Sequence, residues 1–217
     1  GEKPFSALTD NPFSLAVINV GIFTHELLKF EPGSEVLVRG PYGIAVDPGA
    51  QSTVMVVAGG TGLAAVYQIA RDFGSKSTGH AEIFMGARSE ERLYFAEECT
   101  AIADVHIATD DGSKGHSGVV TELLEQRLGK MPKEELSKLV FYNCGPAPMV
   151  HAAEAVQLKF VSADRVFSAI DYLTKCGVGI CGACHLPDGR RLCVDGPFLN
   201  SKELNNKELN SKDQSDA

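Results

Sequence analysis

Cysteines near the C-terminus have the spacing of an iron–sulfur ligand set. The pattern is C-x4-C-x2-C-x8-C, and its first three members match the plant-type [2Fe–2S] spacing. Thiolates suit this chemistry because sulfide-bridged iron is held by soft anionic ligands. Glycines between the cysteines let the loop turn sharply and aim N–H groups at the sulfurs. The predicted metal ligands are Cys176, Cys181, Cys184 and Cys193.

Two other uses of these cysteines stay open. A structural zinc site commonly has two C-x2-C knuckles, whereas only Cys181 and Cys184 have that spacing in this chain. Disulfides need an oxidising compartment, and nothing in the sequence indicates one. A [2Fe–2S] cluster is therefore the prediction, with zinc and disulfides as the alternatives.

A glycine-rich segment follows an apolar run at 53–58 and opens a helical pattern at 63–73. Glycines at such a turn let the backbone approach a pyrophosphate, which the N-terminus of the helix attracts. A tight strand-to-helix turn also favours glycine without a ligand. The next strand ends in Gly-Ala-Arg at 86–88, so this is not a plain NAD fingerprint. The predicted nucleotide-binding residues are Gly59, Gly60, Thr61 and Gly62.

Strand and helix patterns alternate from 52 to 160, which predicts an α/β fold with a doubly wound parallel sheet. The predicted strands are 53–58, 81–85, 104–108 and 139–143, and the predicted helices are 63–73, 90–102, 119–128 and 149–158. Ligands bind outside the carboxyl ends of such strands. Asp111 follows one strand end, although an aspartate there is also an ordinary turn residue.

The composition changes along the chain. An N-terminal region has short β-branched runs, with strands predicted at 14–20 and 34–39. The α/β domain and the cysteine module come next, and the last residues are polar with balanced charge, which predicts a disordered tail. The predicted domains are 1–46, 47–164, 165–200 and 201–217.

Bulk properties exclude some classes of protein. The net charge of −8 over 217 residues argues against a nucleic-acid partner. No apolar run is long enough to span a membrane, and no signal peptide is visible. Six cysteines without a secretion signal predict a reducing, cytoplasmic location.

The motifs in their order resemble the ferredoxin–NADP⁺ reductase superfamily, and within it the electron-transfer subunits of dihydroorotate dehydrogenase. The segments that carry the resemblance are 3–6 (Lys-Pro-Phe-Ser), 21–24 (Gly-Ile-Phe-Thr), 40–43 (Gly-Pro-Tyr-Gly), 59–65, 86–88, 144–149 (Cys-Gly-Pro-Ala-Pro-Met) and 192–197. The resemblance implies that FAD is bound by Lys3, Pro4, Phe5, Ser6, Gly21, Thr24, Gly40 and Gly43. It also implies that Cys144, Gly145 and Met149 contact the nicotinamide nucleotide, and the place of Asp111 at a strand end adds that residue to the predicted cofactor-binding set.

In function, the resemblance implies an oxidoreductase subunit of pyrimidine biosynthesis that works in a hetero-oligomer. NAD would exchange a hydride with FAD, and single electrons would pass through the cluster to a catalytic dihydroorotate dehydrogenase-type subunit. The fold implied for 1–46 is a partial antiparallel β-barrel, because the family has about half of a flavin barrel ahead of the segment at 3–6. We therefore hypothesise that this chain is a fragment or that another chain supplies those strands.

Two alternative functions are compatible with the same motifs. Related NAD(P)H-linked subunits of a hydrogenase, a sulfide dehydrogenase or a ferredoxin:NADP⁺ oxidoreductase differ mainly in their partner. A non-catalytic iron–sulfur redox sensor would keep the cluster without flavin.

Overall fold

The computed structural model describes residues 1–49, 52–74, 80–169 and 173–202. The chain divides into two compact units that do not follow chain order. Gly1–Ala45 and Tyr172–Pro197 form one of them, which we call the cysteine unit. Val46–Asp171 and Phe198–Ala217 form the other, which we call the sheet unit. The tail predicted at 201–217 lies outside the described residues from position 203 onward.

Strands alternate with helices over most of the chain. The strands are β1 Ala7–Asp10, β2 Phe13–Leu15, β3 Thr53–Gly59, β4 His80–Ala87, β5 Asp104–Thr109, β6 His116–Ser117, β7 Leu139–Cys144, β8 Val166–Ala169 and β9 Phe198–Asn200. The α-helices are α1 Ile22–Leu27, α2 Leu63–Gly74, α3 Ala96–Thr100, α4 Val120–Leu128, α5 Lys133–Leu136, α6 Ala147–Gln157 and α7 Leu192–Asp195. Among the residues described, no helix is long and apolar enough to cross a membrane.

The sheet unit is built on a seven-stranded sheet in the order β6-β5-β4-β3-β7-β8-β9. All neighbouring strands are parallel except β9, which runs antiparallel to β8. The connections run from β3 outward on one side through β4 and β5, and on the other side through β7 and β8. This topology confirms the predicted doubly wound α/β fold, with its switch point between β3 and β7.

Burial explains why the central strands are continuous apolar runs. Val54, Met55, Val56 and Val57 are fully buried, because helices cover both faces of the sheet. Val56 packs in a cluster with Val66 of α2. The alternate side chains face a second cluster that includes Leu124 of α4, Ala153 of α6 and Phe84 of β4.

One predicted helix is shorter than expected. The pattern at 90–102 gives a 3₁₀ turn at Glu90–Arg92 and then only α3, because Phe95 adopts a left-handed conformation with φ of 58°. An L-residue with positive φ cannot continue a right-handed helix, so the helix begins after it.

In the cysteine unit, the antiparallel pair β1–β2 is the only sheet among the residues described. The predicted strand at 14–20 is therefore reduced to the end of β2, and the strand predicted at 34–39 is wrong. Val36, Leu37 and Val38 are 55%, 104% and 63% exposed. Their β-branched and aliphatic character favours a strand, but a strand needs a neighbouring ladder, and no described segment pairs with this one.

Candidate functional site

The glycine segment lies at the carboxyl end of β3, packed against the segment that follows β7. A Cβ atom added to Gly62 would lie 2.3 Å from the carbonyl oxygen of Cys144. One added to Gly59 would lie 2.7 Å from Sδ of Met149 and 2.8 Å from Cδ of Pro146. The two motifs predicted from sequence therefore meet at one edge of the sheet, and glycine is required there for packing.

Gly60 differs from its neighbours. Its φ is +55°, and no described residue other than its two chain neighbours has an atom within 4 Å of the position that its Cβ would take. The residue begins the 3₁₀ turn Gly60–Gly62, which leads directly into α2. The loop therefore presents bare backbone on an open side at the N-terminal end of a helix, the arrangement that accepts phosphate groups.

Loops after β4 and β5 are joined to each other beside this edge. The backbone N–H of Glu90 donates to Oγ of Ser113 at 2.7 Å, and Nζ of Lys114 lies 2.9 Å from the Glu90 carboxylate. Asp111 accepts hydrogen bonds from the hydroxyl and the backbone N–H of Ser113, and these lower the pKa of the carboxyl group. Asp111 thus closes its own turn, while its predicted contact with the nucleotide stays a prediction.

A buried polar network supports the end of β7, and sequence reasoning missed it. The amides of Asn143 and Gln157 exchange two hydrogen bonds of 2.9 and 2.8 Å. Ser168 donates to the carboxylate of Glu154, which Ser201 also contacts at 2.7 Å. The network links β7, α6, β8 and the residue after β9, which anchors the strand that leads to Cys144. Each member taken alone is an ordinary polar residue in an apolar pattern.

The cysteine loop, residues 173–184, aims backbone N–H groups at sulfur as predicted. The N–H of Gly179 donates to Sγ of Cys193 at 3.2 Å, and those of Ile180 and Cys181 donate to Sγ of Cys176 at 3.4 Å. Hydrogen bonds from the N–H groups of Cys181, Val178 and Ile180 lower the pKa of Cys176 to about 6. The loop therefore stabilises a thiolate at its first cysteine.

The side chains of the four predicted ligands act on one another. That of Cys181 contributes to the lowered pKa of Cys176, and that of Cys184 contributes to the raised pKa of Cys193. Burial, followed by the Cys184 thiol, raises the pKa of Cys193. Within the described ranges no three His, Cys, Asp or Glu side chains converge on one point as ligands of a single ion would, and none of the six cysteines forms a disulfide.

Residues that sequence reasoning did not single out hold this loop. Arg39 donates hydrogen bonds to the carbonyl oxygens of Lys175 and Cys176, and Arg191 donates to that of Gly179 at 2.9 Å. The ring of Tyr42 fills the space beside Gly177, where a Cβ would lie 2.7 Å from its Cε2. No local signal marks these side chains, because their roles depend on contacts between distant segments.

The residues predicted to bind flavin all lie in the cysteine unit. Lys3, Pro4 and Ser6 are exposed. The ring of Phe5 lies 6.3 Å from that of Phe23. Thr24 accepts hydrogen bonds from the backbone at the start of α1, at 3.1 and 3.2 Å.

The turn at 40–43 also has a packing role. Gly43 has φ of +90°, and a Cβ there would lie 2.2 Å from the carbonyl oxygen of Gly196. The same oxygen accepts a hydrogen bond of 2.7 Å from the N–H of Ile44. Gly43 is therefore required for contact with the end of α7, and its role towards flavin stays a prediction, as does that of Gly40.

Two family models match the chain. Residues 56–155 match the oxidoreductase NAD-binding domain, and residues 173–205 match the iron–sulfur cluster binding domain of dihydroorotate dehydrogenase B. These ranges contain the glycine segment and the four cysteines, respectively.

Similar proteins cover nearly the whole chain. A probable dihydroorotate dehydrogenase B (NAD(+)) electron transfer subunit of Thermococcus kodakarensis is 35% identical over 94% of this chain and 81% of its own length. The corresponding protein of Methanocaldococcus jannaschii is 36% identical over 94% of this chain and 75% of its own.

Solved structures share the fold. A structure of the NADH-dependent reduced ferredoxin-NADP oxidoreductase superposes with a TM-score of 0.77 at 26% identity, covering 91% of this chain and 70% of that one. The cytochrome b5 reductase domain of Ulva prolifera nitrate reductase, at 21% identity and a TM-score of 0.60 over 76% of this chain and 77% of that one, shows the fold alone.

Proposed function

Because the chain belongs to the family of dihydroorotate dehydrogenase B electron transfer subunits, we propose that it connects NAD with a catalytic dihydroorotate dehydrogenase subunit through FAD and a [2Fe–2S] cluster. The observation that carries this proposal is the cysteine loop, whose N–H groups donate to the sulfurs of Cys176 and Cys193. The [2Fe–2S] type of the cluster, the binding of FAD and the identity of the partner subunit are all proposed here.

The cysteine arrangement fits a two-iron cluster. Such a cluster takes four thiolates, two on each iron, and N–H groups that donate to ligand sulfurs suit it. A structural zinc site commonly has two C-x2-C knuckles, and this chain has one. Cys176 with Cys181 would hold one iron, and Cys184 with Cys193 the other. When bound, the cluster supplies one-electron transfer, and the hydrogen bonds from Gly179 and Ile180 help to set its reduction potential.

The glycine segment fits a nicotinamide dinucleotide. Gly59 and Gly62 hold the loop close to the segment after β7, which leaves the open backbone at Gly60 and the N-terminus of α2 facing the pyrophosphate. Thr61 and the segment with Cys144, Gly145 and Met149 are proposed to line the same site.

Flavin binding is supported by family membership more than by local geometry. Lys3 and Ser6 are exposed and offer a cation and a hydroxyl group for the phosphates, although lysine gives a point charge and not a bidentate fork. Thr24 and Gly21 are proposed to contribute at the start of α1. We also propose a cytoplasmic location, which suits six cysteines that form no disulfide.

A spectroscopic titration of the anaerobically purified chain tests the proposal. We expect about two irons per chain, visible absorption typical of a sulfide-bridged cluster, and bleaching of that absorption when NADH is added together with FAD. Co-purification with a dihydroorotate-oxidising subunit tests the partner. A chain that binds zinc and has no visible absorption would contradict the cluster assignment.

The second candidate is a subunit like the NADH-dependent reduced ferredoxin-NADP oxidoreductase, because that structure covers 91% of this chain. The same preparation separates the two candidates. A partner that oxidises dihydroorotate supports the first function, whereas a partner that exchanges electrons with ferredoxin and NADPH supports the second.

A further inference from the structure

Arg39 lies against the beginning of the cysteine loop. Its Nη2 donates to the carbonyl oxygen of Lys175 at 3.1 Å, and its Nη1 donates to that of Cys176, one of the four thiolate ligands. The same guanidinium pairs with the Glu2 carboxylate, with Nε 3.0 Å from Oε2. The guanidinium of Arg39 thus places a positive charge at the backbone of a ligand residue, and the Glu2 carboxylate places a negative charge next to that guanidinium.

Tyr42 completes this contact. Its hydroxyl oxygen accepts a hydrogen bond of 2.7 Å from Nη1 of Arg39, and its ring lies 5.2 Å from the guanidinium carbon. The same ring occupies the space that a side chain at Gly177 would need. Arg39 therefore holds Cys176, and Tyr42 packs against Gly177, at the start of the cysteine loop.

Arg191 acts on the other side of the loop, through a single peptide group. Its Nη1 donates to the carbonyl oxygen of Gly179 at 2.9 Å, and the N–H at the opposite end of that peptide, from Ile180, donates to Sγ of Cys176 at 3.4 Å. In a planar trans peptide the C=O and N–H groups point in opposite directions. When Arg191 binds the carbonyl, it therefore directs the N–H towards the ligand sulfur.

We propose that Arg39 and Arg191 are positioning residues of the cluster site, which hold the N–H groups on the ligand sulfurs and raise the reduction potential of the cluster. This inference rests on the proposed function, and it assigns the side chains that adjust the reduction potential of the same cluster. Positive charge and N–H···S hydrogen bonds both stabilise the reduced cluster, because it carries the greater negative charge. Glu2 opposes the charge of Arg39.

Charge variants of the full chain, reconstituted anaerobically with iron and sulfide, test the proposal through the midpoint potential. Arg39→Met should lower the ratio of reduced to oxidised cluster at a fixed potential by several-fold, up to about tenfold, which is about 59 mV for a one-electron couple. Glu2→Gln should shift the potential in the opposite direction. Both shifts should diminish with added salt, since these side chains are 45% and 65% exposed.

Arg191 is tested by a conservative pair of variants. Arg191→Met should lower the potential and change the electron paramagnetic resonance g-values, because the Ile180 N–H loses its fixed direction. Arg191→Lys keeps the charge and should restore part of the potential. Lys159→Gln removes a cation of similar exposure, paired with Glu125, from the sheet unit and should leave the potential unchanged.

The outcomes separate this inference from the proposed function. An unvaried chain that takes up no iron would overturn both. A chain with the cluster whose potential is unchanged in Arg39→Met, Glu2→Gln and Arg191→Met would overturn the inference alone. If Arg39→Met fails to hold the cluster, the opposite shift expected in Glu2→Gln still decides the matter.

Discussion

At the scale of single residues, the glycines at 59–62 have different reasons to be glycine. Gly59 and Gly62 are confined by Met149 and by the Cys144 carbonyl, whereas Gly60 faces open space with a positive φ. The sequence pattern does not show which glycine is needed for packing and which one leaves room for a ligand. The contacts that an added Cβ would make distinguish the two roles.

Substitution by alanine should separate the two roles. Gly62→Ala places a methyl group 2.3 Å from a backbone oxygen, so we expect a loss of stability of about 2 kcal/mol or more in urea denaturation. Gly60→Ala should cost about 1 kcal/mol for its positive φ and should raise the KM for NADH, because the methyl group enters the open face. Equal stability and equal NADH kinetics in the two variants would contradict the assignment.

The first cysteine of the loop should be reactive in the metal-free chain. Hydrogen bonds from N–H groups lower the pKa of Cys176 to about 6, so its thiolate is present above that pH and lost below it. Alkylation by iodoacetamide, followed by peptide mass spectrometry, should show a midpoint near pH 6 at Cys176. Cys99 is the internal control, because burial raises its pKa to about 12. A midpoint for Cys176 near its ordinary value of 9.0 would contradict the hydrogen-bonding account.

At the scale of elements, one buried carboxylate joins two strands to a helix. Glu82 of β4 is 2% exposed and receives hydrogen bonds from His106 of β5 at 2.8 Å and from Arg127 of α4 at 3.0 and 2.7 Å. Burial opposes its ionisation, but the hydrogen bonds from His106 and Arg127 outweigh burial and lower the pKa of Glu82. The ion pair therefore fixes α4 on the sheet.

Removal of one partner should be costly and dependent on pH. Arg127→Met leaves the buried carboxylate with His106 at 2.8 Å and His80 at 3.9 Å, so we expect the free energy of unfolding to fall by about 3 kcal/mol at about pH 7. In the unvaried chain the stability from Glu82 is fully present above its ordinary pKa of 4.5 and is lost as the pH falls through the lower folded pKa. The variant should lack this acid-dependent loss in urea denaturation.

Lys159→Met is the matched control for this prediction. It breaks an exposed pair with Glu125, whose two side chains are 56% and 47% exposed, and should cost less than about 1 kcal/mol. If Arg127→Met and Lys159→Met lowered the free energy of unfolding equally, the buried pair would contribute no more to stability than the exposed pair.

At the scale of the whole molecule, the proposed nucleotide site and the proposed cluster site lie in separate compact units, and the proposed flavin residues lie in the same unit as the cluster ligands. The sheet unit has its own core on both faces of β3, and the cysteine unit brings together segments from both ends of the chain. Loss of the cluster should therefore leave the nucleotide-binding fold intact.

Cys184→Ser tests this separation. We expect loss of the visible absorption and of the iron, because a buried ligand is replaced by a hard hydroxyl group. Far-ultraviolet circular dichroism and binding of NADH should stay close to those of the unvaried chain. Cys99→Ala, which changes a buried cysteine outside the loop, should keep the cluster. Retention of iron by Cys184→Ser would contradict the ligand assignment.

Much of the fold followed from local patterns. The bounds predicted for β3, β4, β5 and β7 lie within a few residues of those observed, and the signal is strongest at β3, which is buried on both faces and apolar over nearly its whole length. The strand predicted at 34–39 was wrong because strand formation depends on a partner, which no local pattern supplies. The break at Phe95 was also missed, since an aromatic residue with positive φ has no sequence signal.

The family and the kind of chemistry could be inferred from the sequence alone, because ligand type, cysteine spacing and a glycine turn are properties of short segments. The folded chain was needed to show which sulfurs accept N–H groups, which glycine stays open and which side chains hold the cysteine loop. Arg39 stands 137 positions before Cys176, and yet it binds the carbonyl of that residue. Contacts of this kind arise when distant segments fold into one unit, and no periodicity or spacing along the chain encodes them.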